Sequence, residues 1–403
     1  MEQATLFAAA LGLTTPWYVK EIQFSAAEKR LDLFLDFARG STFACPACGT
    51  SGTAYDTRDE TWRHLDFFQH AAYLHARVPR LDCPACGVKK IGVPWARTDS
   101  GFTLLFEALL MQLMQEMPVL AVARLEGFHD TRLWRVLHHY VGQARAKADY
   151  TQVERIGVDE TAARRGHDYI SLFMDLDQAR LLFATPGKES ATVQSFAADL
   201  AEHGGSAGQI TEVACDMSPA FTKGVAQAMP QAEITYDRFH VMQLMGAALD
   251  QVRREEVRTN QALSGTRYLW LSNVENLRPA QAEQLSTLRR QQLKTGRAYA
   301  LRLSLQEFYQ QPAREGGAAY LKRWYFWATH ARLEPVRKVA GTIKAHWEGI
   351  LNWFESQATT SLLEGINSLV QAAKARARGY RSTRNLIAIA YLLAGKLHFE
   401  LPT

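Results

Sequence analysis

The sequence has no apolar run long enough to span a bilayer, and its first basic side chain is Lys20. These absences argue against an integral membrane protein and a secretion signal, so we expect a cytoplasmic protein without a membrane partner. Cysteine is scarce, and its five residues are an odd number, which argues against a disulfide framework. An excess of one charge is also missing, because 46 Lys and Arg stand against 41 Asp and Glu. That balance permits nucleic-acid binding without requiring it.

Four of the five cysteines stand in two copies of the pentapeptide Cys-Pro-Ala-Cys-Gly. A CxxC pair followed by glycine forms a tight turn that directs two thiolates to one ion, and two such turns supply the ligands of a closed structural zinc site. We therefore predict Zn²⁺ bound by Cys45, Cys48, Cys83 and Cys86. Strands, one of them over 73–81, must bring the distant pairs together. Three histidines between the pairs are alternative ligands: His64, His70 and His75.

Residues 102–147 are predicted to form three helices. The first covers 102–117, Pro118 is placed to begin the second, Gly127 to end it and Asp130 to cap the third. The third helix is basic, which is typical of a helix-turn-helix whose last helix enters the major groove of DNA. Its candidate DNA-binding residues are Arg132, Arg135, His139 and Arg145. Small three-helix units also occur in proteins that never bind DNA, so this pattern alone does not decide.

From residue 154 the apolar pattern takes the period of strands. We predict strands over 155–159, 168–176 and 180–185, a helix over 191–203, a strand over 210–216, a helix over 219–228 and a strand over 233–236. Three antiparallel strands followed by alternating helix and strand are the order of a ribonuclease H-like core. After His240 the sequence is helical in character to its end.

A chain of 403 residues is too long for one compact core. We predict a multidomain α+β protein in which a ribonuclease H-like α/β catalytic core is interrupted by an all-helical insertion. The predicted domains are a zinc-binding N-terminal domain (1–100), a helix-turn-helix DNA-binding domain (101–150), the catalytic domain in two parts (151–240 and 346–403) and the helical insertion (241–345).

Two aspartates end predicted buried strands, Asp159 in the run IGVDE and Asp216 in VACD. In a sheet of this order the two strand ends are neighbours, and Glu364, on a helix packed across the sheet, would be a third carboxylate. Converging carboxylates hold the two divalent ions of a phosphoryl-transfer site. Single acids in such places are more often turn or cap residues. Four neighbours are predicted to form turns, point away or only pack: Asp175, Asp177, Glu160 and Cys215.

The segment 364–384 is predicted to be one helix with an acid near its start and bases toward its end. Its apolar face is predicted to hold Leu362, Ile366, Leu369 and Ala373. Glu364 falls on the opposite face, where it can bind a metal beside a phosphate backbone. The bases that would grip the backbone are Lys374, Arg376, Arg378, Arg381 and Arg384. The alternative is a capping box of Ser361 and Glu364 on a solvated surface helix.

Arg238 and His240 follow the last predicted strand in the run YDRFH, near the edge that holds the two aspartates. His240 is placed to hydrogen-bond a phosphate that is being cut, and Arg238 to neutralise one. The alternative is that Asp237 caps the next helix and that His240 is a half-buried helix residue.

Zinc knuckles, IGVDE, CDMSPAF, YDRFHV and LEGINSLVQAAKARARGYRS follow one another in this chain. This succession resembles the ISL-three family of bacterial insertion-sequence transposases over essentially the whole length. The resemblance implies DDE chemistry at Asp159, Asp216 and Glu364 and a C/D-x-x-H motif at Asp237 and His240, and it assigns the zinc module to the four cysteines. One departure is the tripeptide SLL before the glutamate, where Asn-Gly-x is more usual.

The function that the resemblance implies is that of an insertion-sequence transposase. Such an enzyme hydrolyses a strand at each end of the element with Mg²⁺ or Mn²⁺ and joins the freed 3′-OH to target DNA by transesterification. The expected partners are double-stranded DNA, as terminal inverted repeats and as target, and further copies of the chain in a homodimer or larger synaptic complex. The expected place of action is the nucleoid in the bacterial cytoplasm.

Base reading is expected from Arg132, Arg135 or His139, whereas the bases over 374–384 should contact phosphates. Tryptophans of the helical region, mostly expected in the core, are candidates for stacking on DNA: Trp270, Trp324, Trp327, Trp347 and Trp353. Two other functions stay open. A DNA-binding regulator or domesticated transposase needs no three acids, and a ribonuclease H-like nuclease or resolvase needs no sequence-reading modules.

Overall fold

The computed structural model describes residues 3–164, 166, 168–356 and 361–402, and the chain divides into two compact units. The first unit comprises residues 1–144 and 398–403, and the second comprises residues 145–397. Within the described ranges, no helix is both long and apolar enough to cross a bilayer.

The first unit begins with one helix and a mixed sheet. Its elements are α1 (Gln3–Ala10), β1 (Trp17–Ser25), β2 (Arg30–Phe37), β3 (Thr42–Ala44), β4 (Ser51–Thr53), β5 (Asp56–Phe67), β6 (His70–Cys83) and β7 (Gly87–Lys90). The main sheet has the order β1-β2-β6-β5, and β7 also pairs with β6. β2 and β6 are parallel, while the other neighbours are antiparallel. β3 and β4 form a separate hairpin.

Alternation along these strands produces the core of the first unit. In β2, Leu31, Leu33 and Leu35 are almost fully buried, whereas the residues between them reach solvent at least in part. The leucines pack in one cluster with Trp17 and Trp95, whose rings meet edge to face at 4.8 Å between centroids. The sequence predicted only part of β6, because the strand exposes polar residues beyond the apolar stretch over 73–81.

Three helices follow the sheet: α2 (Leu104–Glu116), α3 (Val119–Leu125) and α4 (Asp130–Ala146). Their bounds lie within a few residues of the prediction. Thr103 caps α2, because its hydroxyl accepts a hydrogen bond from the Phe106 N–H at 3.3 Å. The turn after α3 contains Gly127 at φ +71°, a left-handed conformation that glycine adopts without strain.

The second unit is built on a five-stranded sheet. Its first elements are β8 (Arg155–Ala162), β9 (Tyr169–Asp175), β10 (Arg180–Pro186), α5 (Ala191–Glu202), β11 (Glu212–Cys215), α6 (Pro219–Ala228) and β12 (Glu233–Tyr236). The strand order is β10-β9-β8-β11-β12. β8, β9 and β10 are antiparallel, and β8, β11 and β12 are parallel. This is the order and direction expected of a ribonuclease H-like core.

Helices make up the rest of the second unit. They are α7 (Arg238–Val257), α8 (Arg267–Leu271), α9 (Pro279–Arg289), α10 (Lys294–Phe308), α11 (Arg314–His330), α12 (Glu334–Ala345), α13 (Trp347–Leu351), α14 (Trp353–Ser356), α15 (Ser361–Arg376) and α16 (Thr383–Ala394). α7 runs through the predicted boundary at residue 240. Phe173 of β9 and Phe196 of α5 belong to the same apolar cluster as Trp270 and Trp324 of the later helices. Sheet and helical insertion therefore share one core.

The single helix predicted over 364–384 is wrong, because the structure has two helices there. α15 ends at Arg376, and Arg378 and Gly379 follow with φ angles of +57° and +92°. Ser382 then caps α16 by accepting a hydrogen bond from the Asn385 N–H. A glycine followed by a serine before an apolar run is the stop-and-start signal that the prediction overlooked.

Candidate active site

The four predicted zinc ligands meet in the first unit. The sulfur atoms of Cys45, Cys48, Cys83 and Cys86 all lie within 4.8 Å of one another, and Cys48 and Cys83 are 3.5 Å apart. A tetrahedral zinc ion with Zn–S bonds of about 2.3 Å needs sulfur atoms about 3.8 Å apart. Four thiols at this spacing therefore fit a closed Zn²⁺ site.

The predicted alternative, a histidine in the zinc site, is wrong, because the three histidines have other partners. His64 Nδ1 contacts the Thr103 hydroxyl at 2.9 Å. His75 lies between the Thr61 hydroxyl and the Asp32 carboxylate, which its Nε2 approaches to 2.6 Å. His70 Nδ1 lies 2.9 Å from a backbone carbonyl of the β5–β6 turn. The described residues bring no histidine into the cysteine cluster.

We expect the His64 imidazole to titrate far below its ordinary range. Burial, with a smaller contribution from Arg63, lowers the pKa of His64 to about 4. Because this value lies below that of an unfolded histidine, the neutral ring stabilises the fold fully above about pH 6.5, and that contribution is lost as pH falls toward 4. An NMR titration of the ring protons measures the midpoint, with the more exposed His129 as the internal control. A His64 midpoint near 6.5 would contradict the expectation.

Helix α4 offers fewer base-reading side chains than predicted. Arg135 is exposed. Arg132 is engaged within the unit, because its guanidinium donates to the Gly101 carbonyl at 3.1 Å and stacks on the Phe102 ring. Burial lowers the pKa of His139, whose ring is half-buried beside Tyr140. Arg135 is therefore the best placed of the predicted base readers, and Arg132 has a structural contact instead.

Arg145, also predicted to bind DNA, has a structural place in the second unit. Its guanidinium donates to both carboxylate oxygens of Asp199 at 2.8 Å and lies over the Tyr391 ring at 4.4 Å. The Tyr391 hydroxyl in turn accepts a hydrogen bond from the Ala184 N–H. Arg145 therefore joins α5, α16 and β10, and its placement gives no support to a DNA contact.

The two predicted aspartates lie side by side at one edge of the second sheet. Asp159 stands in β8, and Asp216 comes directly after β11. The parallel register pairs Ala214 with Gly157, so continuing it by two residues places Asp216 level with Asp159. Adjacent strands are about 4.8 Å apart, so the two carboxylates can act on common ions.

Glu364 and His240 complete this edge. A cavity of about 340 Å³, called here the acid cavity, is lined by all four predicted catalytic residues, Asp159, Asp216, Glu364 and His240. They come from four different elements, β8, the end of β11, α15 and α7. The structure therefore brings together residues that are up to 205 positions apart in the sequence.

Asp159 is held in one orientation by two hydrogen bonds. Its Oδ1 accepts from the Glu160 N–H at 2.8 Å, and its Oδ2 accepts from the Asn367 side-chain amide at 3.0 Å. Burial raises the pKa of Asp159 despite these donors, and the nearby Asp216 adds to the effect. Burial disfavours the ionised form of this carboxylate, so a cation bound in the cavity would stabilise it.

A row of polar contacts fastens α15 to β8. Asn367 accepts a hydrogen bond from the Thr161 hydroxyl at 2.5 Å, and Gln371 donates to the Ala162 carbonyl at 3.1 Å. Lys374 donates to the same carbonyl at 2.5 Å. Asn367 and Gln371 were not predicted as positioning residues, although both fall on the helical face that carries Glu364. Lys374, predicted to grip DNA, is partly used in this attachment.

The buried face of α15 differs from the predicted one. Leu363, Ile366 and Val370 are buried, whereas Leu369 is 42% exposed. The helix sits on a hollow at Gly157, where an added Cβ would come within 2.2 Å of the Leu363 side chain. The apolar residues of α15 are numerous enough for either face to be buried. The space at Gly157, which the Leu363 side chain fills, favours the face that carries Leu363. The predicted capping box cannot be judged, because the Ser361 side chain lies outside the described residues.

We expect Gly157→Ala to lower DNA cleavage more than it lowers stability. The new methyl group must push Leu363 and with it Glu364, the next residue, away from β8. Overpacking of this kind costs about 1–3 kcal/mol of unfolding free energy, while a displacement of about 1 Å costs about 10²-fold in rate. Gly341→Ala is the control, because nothing lies within 4 Å of its Cβ. Equal cleavage rates for both variants would contradict the expectation.

The structure shows the alternative predicted for the YDRFH segment, in which Asp237 caps the next helix and His240 is a half-buried helix residue, while the phosphate contacts stay a prediction. Asp237 caps α7, since its carboxylate accepts from the Phe239 N–H at 2.6 Å, and its other oxygen lies 3.0 Å from His240 Nδ1. This buried carboxylate, with further help from Asp216 and Asp159, raises the pKa of His240. The neighbouring carboxylates therefore favour the protonated form of this ring. Arg238 is exposed, over the Tyr309 ring at 5.3 Å.

Glu160 does not point away from the site as predicted. It also lines the acid cavity and pairs with Lys188 at 3.7 Å. The pairing of β11 with β8 ends at Gly157, so beyond it no strand is paired with β8 on that side. Asp175 accepts from the N–H groups of the following turn, as predicted for a turn acid.

The remaining residues predicted to contact DNA are four arginines and five tryptophans, and they differ in exposure. The four arginines predicted to bind the DNA backbone are exposed: Arg376, Arg378, Arg381 and Arg384. Of the five tryptophans, Trp270 and Trp324 are fully buried, Trp347 and Trp353 pack partly on the core, and Trp327 is 42% exposed. Trp327 is thus the best placed of them to stack on DNA.

Known protein families match each part of this arrangement. The DDE transposase model of the ISL3 family, described as "Transposase", matches residues 156–390, which is more than half of the chain and includes all four residues of the acid cavity. The chain belongs to the ISL3 family of transposases. The model described as "Helix-turn-helix domain of transposase family ISL3" matches residues 93–141. A third, "zinc-finger of transposase IS204/IS1001/IS1096/IS1165", matches residues 41–86 and so includes the four clustered cysteines.

Individual transposases are similar over most of their length. The transposase for insertion sequence element IS1557 of Mycobacterium tuberculosis is 28% identical, over 98% of this chain and 96% of its own. The transposase for insertion sequence element IS1001 of Bordetella parapertussis is 30% identical, over 84% of this chain and 85% of its own. This ISL3 transposase therefore combines a structural zinc ribbon, a helix-turn-helix and a transposase domain, and the family resemblance inferred from the sequence is confirmed.

Proposed function

We propose that this transposase cuts and rejoins the ends of an insertion sequence by two-metal phosphoryl transfer in the acid cavity. The observation that carries the proposal is the level placement of Asp159 and Asp216 on adjacent parallel strands, facing a cavity that Glu364 and His240 also line. A regulator that only binds DNA has no need of this arrangement.

The donor set fits hard divalent cations. Asp159, Asp216 and Glu364 supply carboxylate oxygens, the ligands that Mg²⁺ and Mn²⁺ prefer. Among the described residues only the cysteines gather within 4.8 Å of one another, so the three acids are spread more widely. A wider spread suits two ions about 3.5–4 Å apart better than one. Bound there, the ions supply Lewis-acid stabilisation of the attacking and leaving oxygens.

The reaction proceeds in two displacements at phosphorus. In the first, a water oxygen forms a bond to the phosphorus at the end of the element, and the bond to the 3′ oxygen breaks, which leaves a 3′-OH and a 5′-phosphate. In the second, that 3′ oxygen attacks a target phosphodiester and displaces a target 3′ oxygen. One P–O bond replaces another, so the joining step needs no energy source.

His240 and Asn367 have separate tasks in these steps. The Asp237 carboxylate accepts a hydrogen bond from Nδ1 of His240 and stabilises the cationic form of the ring. Nε2 is therefore the donor for a non-bridging phosphate oxygen. Asn367 fixes the Oδ2 atom of Asp159 and is a positioning residue. Arg238, exposed next to this cavity, is suited to neutralise a neighbouring phosphate.

DNA recognition is assigned to the other modules. We infer that the helix-turn-helix reads the terminal inverted repeats, with Arg135 as the leading base contact, and that the exposed arginines over 376–384 bind phosphates. The proposed domains remain 1–100, 101–150, 151–240 with 346–403, and 241–345. Since two ends must be paired before joining, the working form is a homodimer or larger synaptic complex at the bacterial nucleoid.

The test is an assay with Mg²⁺, labelled inverted-repeat DNA from the flanks of the coding region and a supercoiled target plasmid. We expect labelled ends joined to the plasmid by the wild-type protein and none by Asp216→Ala. End binding without any cutting would favour a regulator or domesticated transposase. Cutting of branched junctions without preference for the ends would favour a nuclease or resolvase.

A further inference from the structure

A second cavity adjoins the acid cavity on the side of the helical insertion. It measures about 650 Å³, lies among α7, α8 and α10, and is called here the insertion pocket. The two cavities share Phe239 and Gln243 as lining residues. These two residues lie one and three positions from His240 in the sequence, so a DNA strand in the acid cavity would lie next to the insertion pocket.

The insertion pocket is lined by a buried arginine that forms no ion pair with any of the described residues. Arg302 is 8% exposed and lines the pocket. Its Nη2 donates to the Leu271 carbonyl at 3.0 Å, while its buried Nη1 has no hydrogen-bond partner among the described residues. A buried cation without an anion is costly, and burial lowers the pKa of this guanidinium. Such a group is stabilised by an anion that enters the pocket.

The acid in the pocket does not serve as that anion. Asp250 already pairs with Arg253 at 2.7 Å, Arg254 at 3.3 Å and Arg267 at 3.6 Å. Arg254 and Arg267 line the pocket together with Arg302. Three arginines against one carboxylate leave the lining positive, and a phosphate is the common biological anion that arginine binds best.

The size and the other lining groups suit more than a bare phosphate. A volume of about 650 Å³ lies in the range of small-molecule sites. Phe239 is 49% exposed at the wall shared with the acid cavity, so its ring face is available for stacking. Gln306 donates to Asn273 at 3.2 Å, and these two amides add hydrogen-bonding groups to the pocket lining.

We propose that the insertion pocket takes one nucleotide of an unpaired DNA strand, with its phosphate at Arg302 and its base against Phe239. The strand must be unpaired, because a nucleotide enters a pocket of this size only after it leaves the duplex. The pocket would hold a nucleotide next to the cut and so fix the strand while the acid cavity acts on it. This inference rests on the proposed DNA-cutting function, and its test is separable from that function.

The test is binding of a short fluorescent single-stranded DNA, measured by anisotropy without divalent metal. We expect Arg302→Met to bind at least about tenfold more weakly, while its thermal unfolding midpoint does not fall by more than a few degrees. Arg297→Met is the matched control on the same helix, because its exposed side chain points elsewhere, to the Ala331 carbonyl. We expect that control to bind as the wild type does.

Two further arms decide between a nucleotide and other anions. Phe239→Ala, at an exposed position, should weaken binding of a normal strand and leave binding of an abasic strand unchanged. Arg267→Gln, also exposed, tests the phosphate site independently if Arg302→Met fails to fold. Unchanged binding by Arg302→Met, or in that case by Arg267→Gln, overturns the proposal, and so does a wild type that binds abasic and normal strands equally or inorganic phosphate as tightly.

The Asp216→Asn variant separates this inference from the proposed function. It should bind the short strand normally and fail to cut inverted-repeat DNA. Cutting by Asp216→Asn would refute the two-metal proposal, yet the comparison of Arg302→Met with Arg297→Met would still decide the pocket.

Discussion

Replacing any one of the three carboxylates should abolish DNA cleavage and leave binding of the inverted repeats intact. For Asp159→Asn, Asp216→Asn and Glu364→Gln we expect cleavage rates to fall by more than about 10³-fold, since even outer-shell partners of a metal cost about 10–100-fold. These amides keep the size of each side chain but remove the charge that holds a cation. Gel-shift measurements on the same preparations report binding, and labelled-strand assays report cleavage.

Two further variants provide reference cleavage rates for the three carboxylate variants. Asn367→Ala removes the donor to Asp159 Oδ2 without removing a carboxylate, so we expect a loss of about 10–100-fold. Asp177→Asn is the matched acid control, because its half-exposed carboxylate pairs with Arg155 away from the acid cavity, and its rate should be that of the wild type. A triad variant that cuts as fast as Asp177→Asn would remove that residue from the site.

The second large effect should come from the zinc site. Cys83→Ser is expected to lose bound zinc and to unfold the β3–β4 hairpin with its cysteine turns, since structural zinc contributes about 10–16 kcal/mol in small zinc modules. The cost is large here because the short β3–β4 hairpin offers little core of its own. Circular dichroism, protease protection and zinc content by atomic absorption measure the outcome, and wild type should carry one zinc per chain.

The matched control is Cys215→Ala, which removes the one cysteine outside the cluster. Cys215 is buried in the second unit, and burial raises the pKa of its thiol, so it is a packing residue rather than a ligand. This variant should keep one zinc per chain. Acid should also release the metal, because protons compete with zinc for the four thiolates. Full zinc content in Cys83→Ser would exclude that cysteine as a ligand.

The positions of Asp159 and Asp216 could be predicted because each ends an apolar strand, a local pattern that a short window contains. Parallel register then follows from the order of the strands. The face of α15 that packs on the sheet could not be predicted in the same way. Its sequence offers two overlapping apolar stripes, and the choice of Leu363 over Leu369 depends on the hollow at Gly157, some 200 residues earlier.

The basic residues illustrate the same limit. Arg132, Arg135 and Arg145 look alike in the sequence of α4, yet only Arg135 is exposed. Arg145 is committed to Asp199, 54 residues later, and Arg132 to the Gly101 carbonyl, 31 residues earlier. Such pairings are tertiary, so the count of bases on a helix overestimates those available to DNA. Asn367 was missed for the converse reason, because an amide carries no charge to mark it.

The position of Glu364 on α15 has a consequence for the timing of activity during protein synthesis. The zinc ribbon, the helix-turn-helix and both aspartates leave the ribosome first, and the third carboxylate follows about 150 residues after Asp216, at about 5–20 residues per second. On the proposed mechanism, a growing chain can hold an inverted repeat for many seconds before it is able to cut. A chain still on the ribosome could thus bind an inverted repeat close to its own messenger RNA. The time needed to make the last helices would then separate binding of an end from its cleavage.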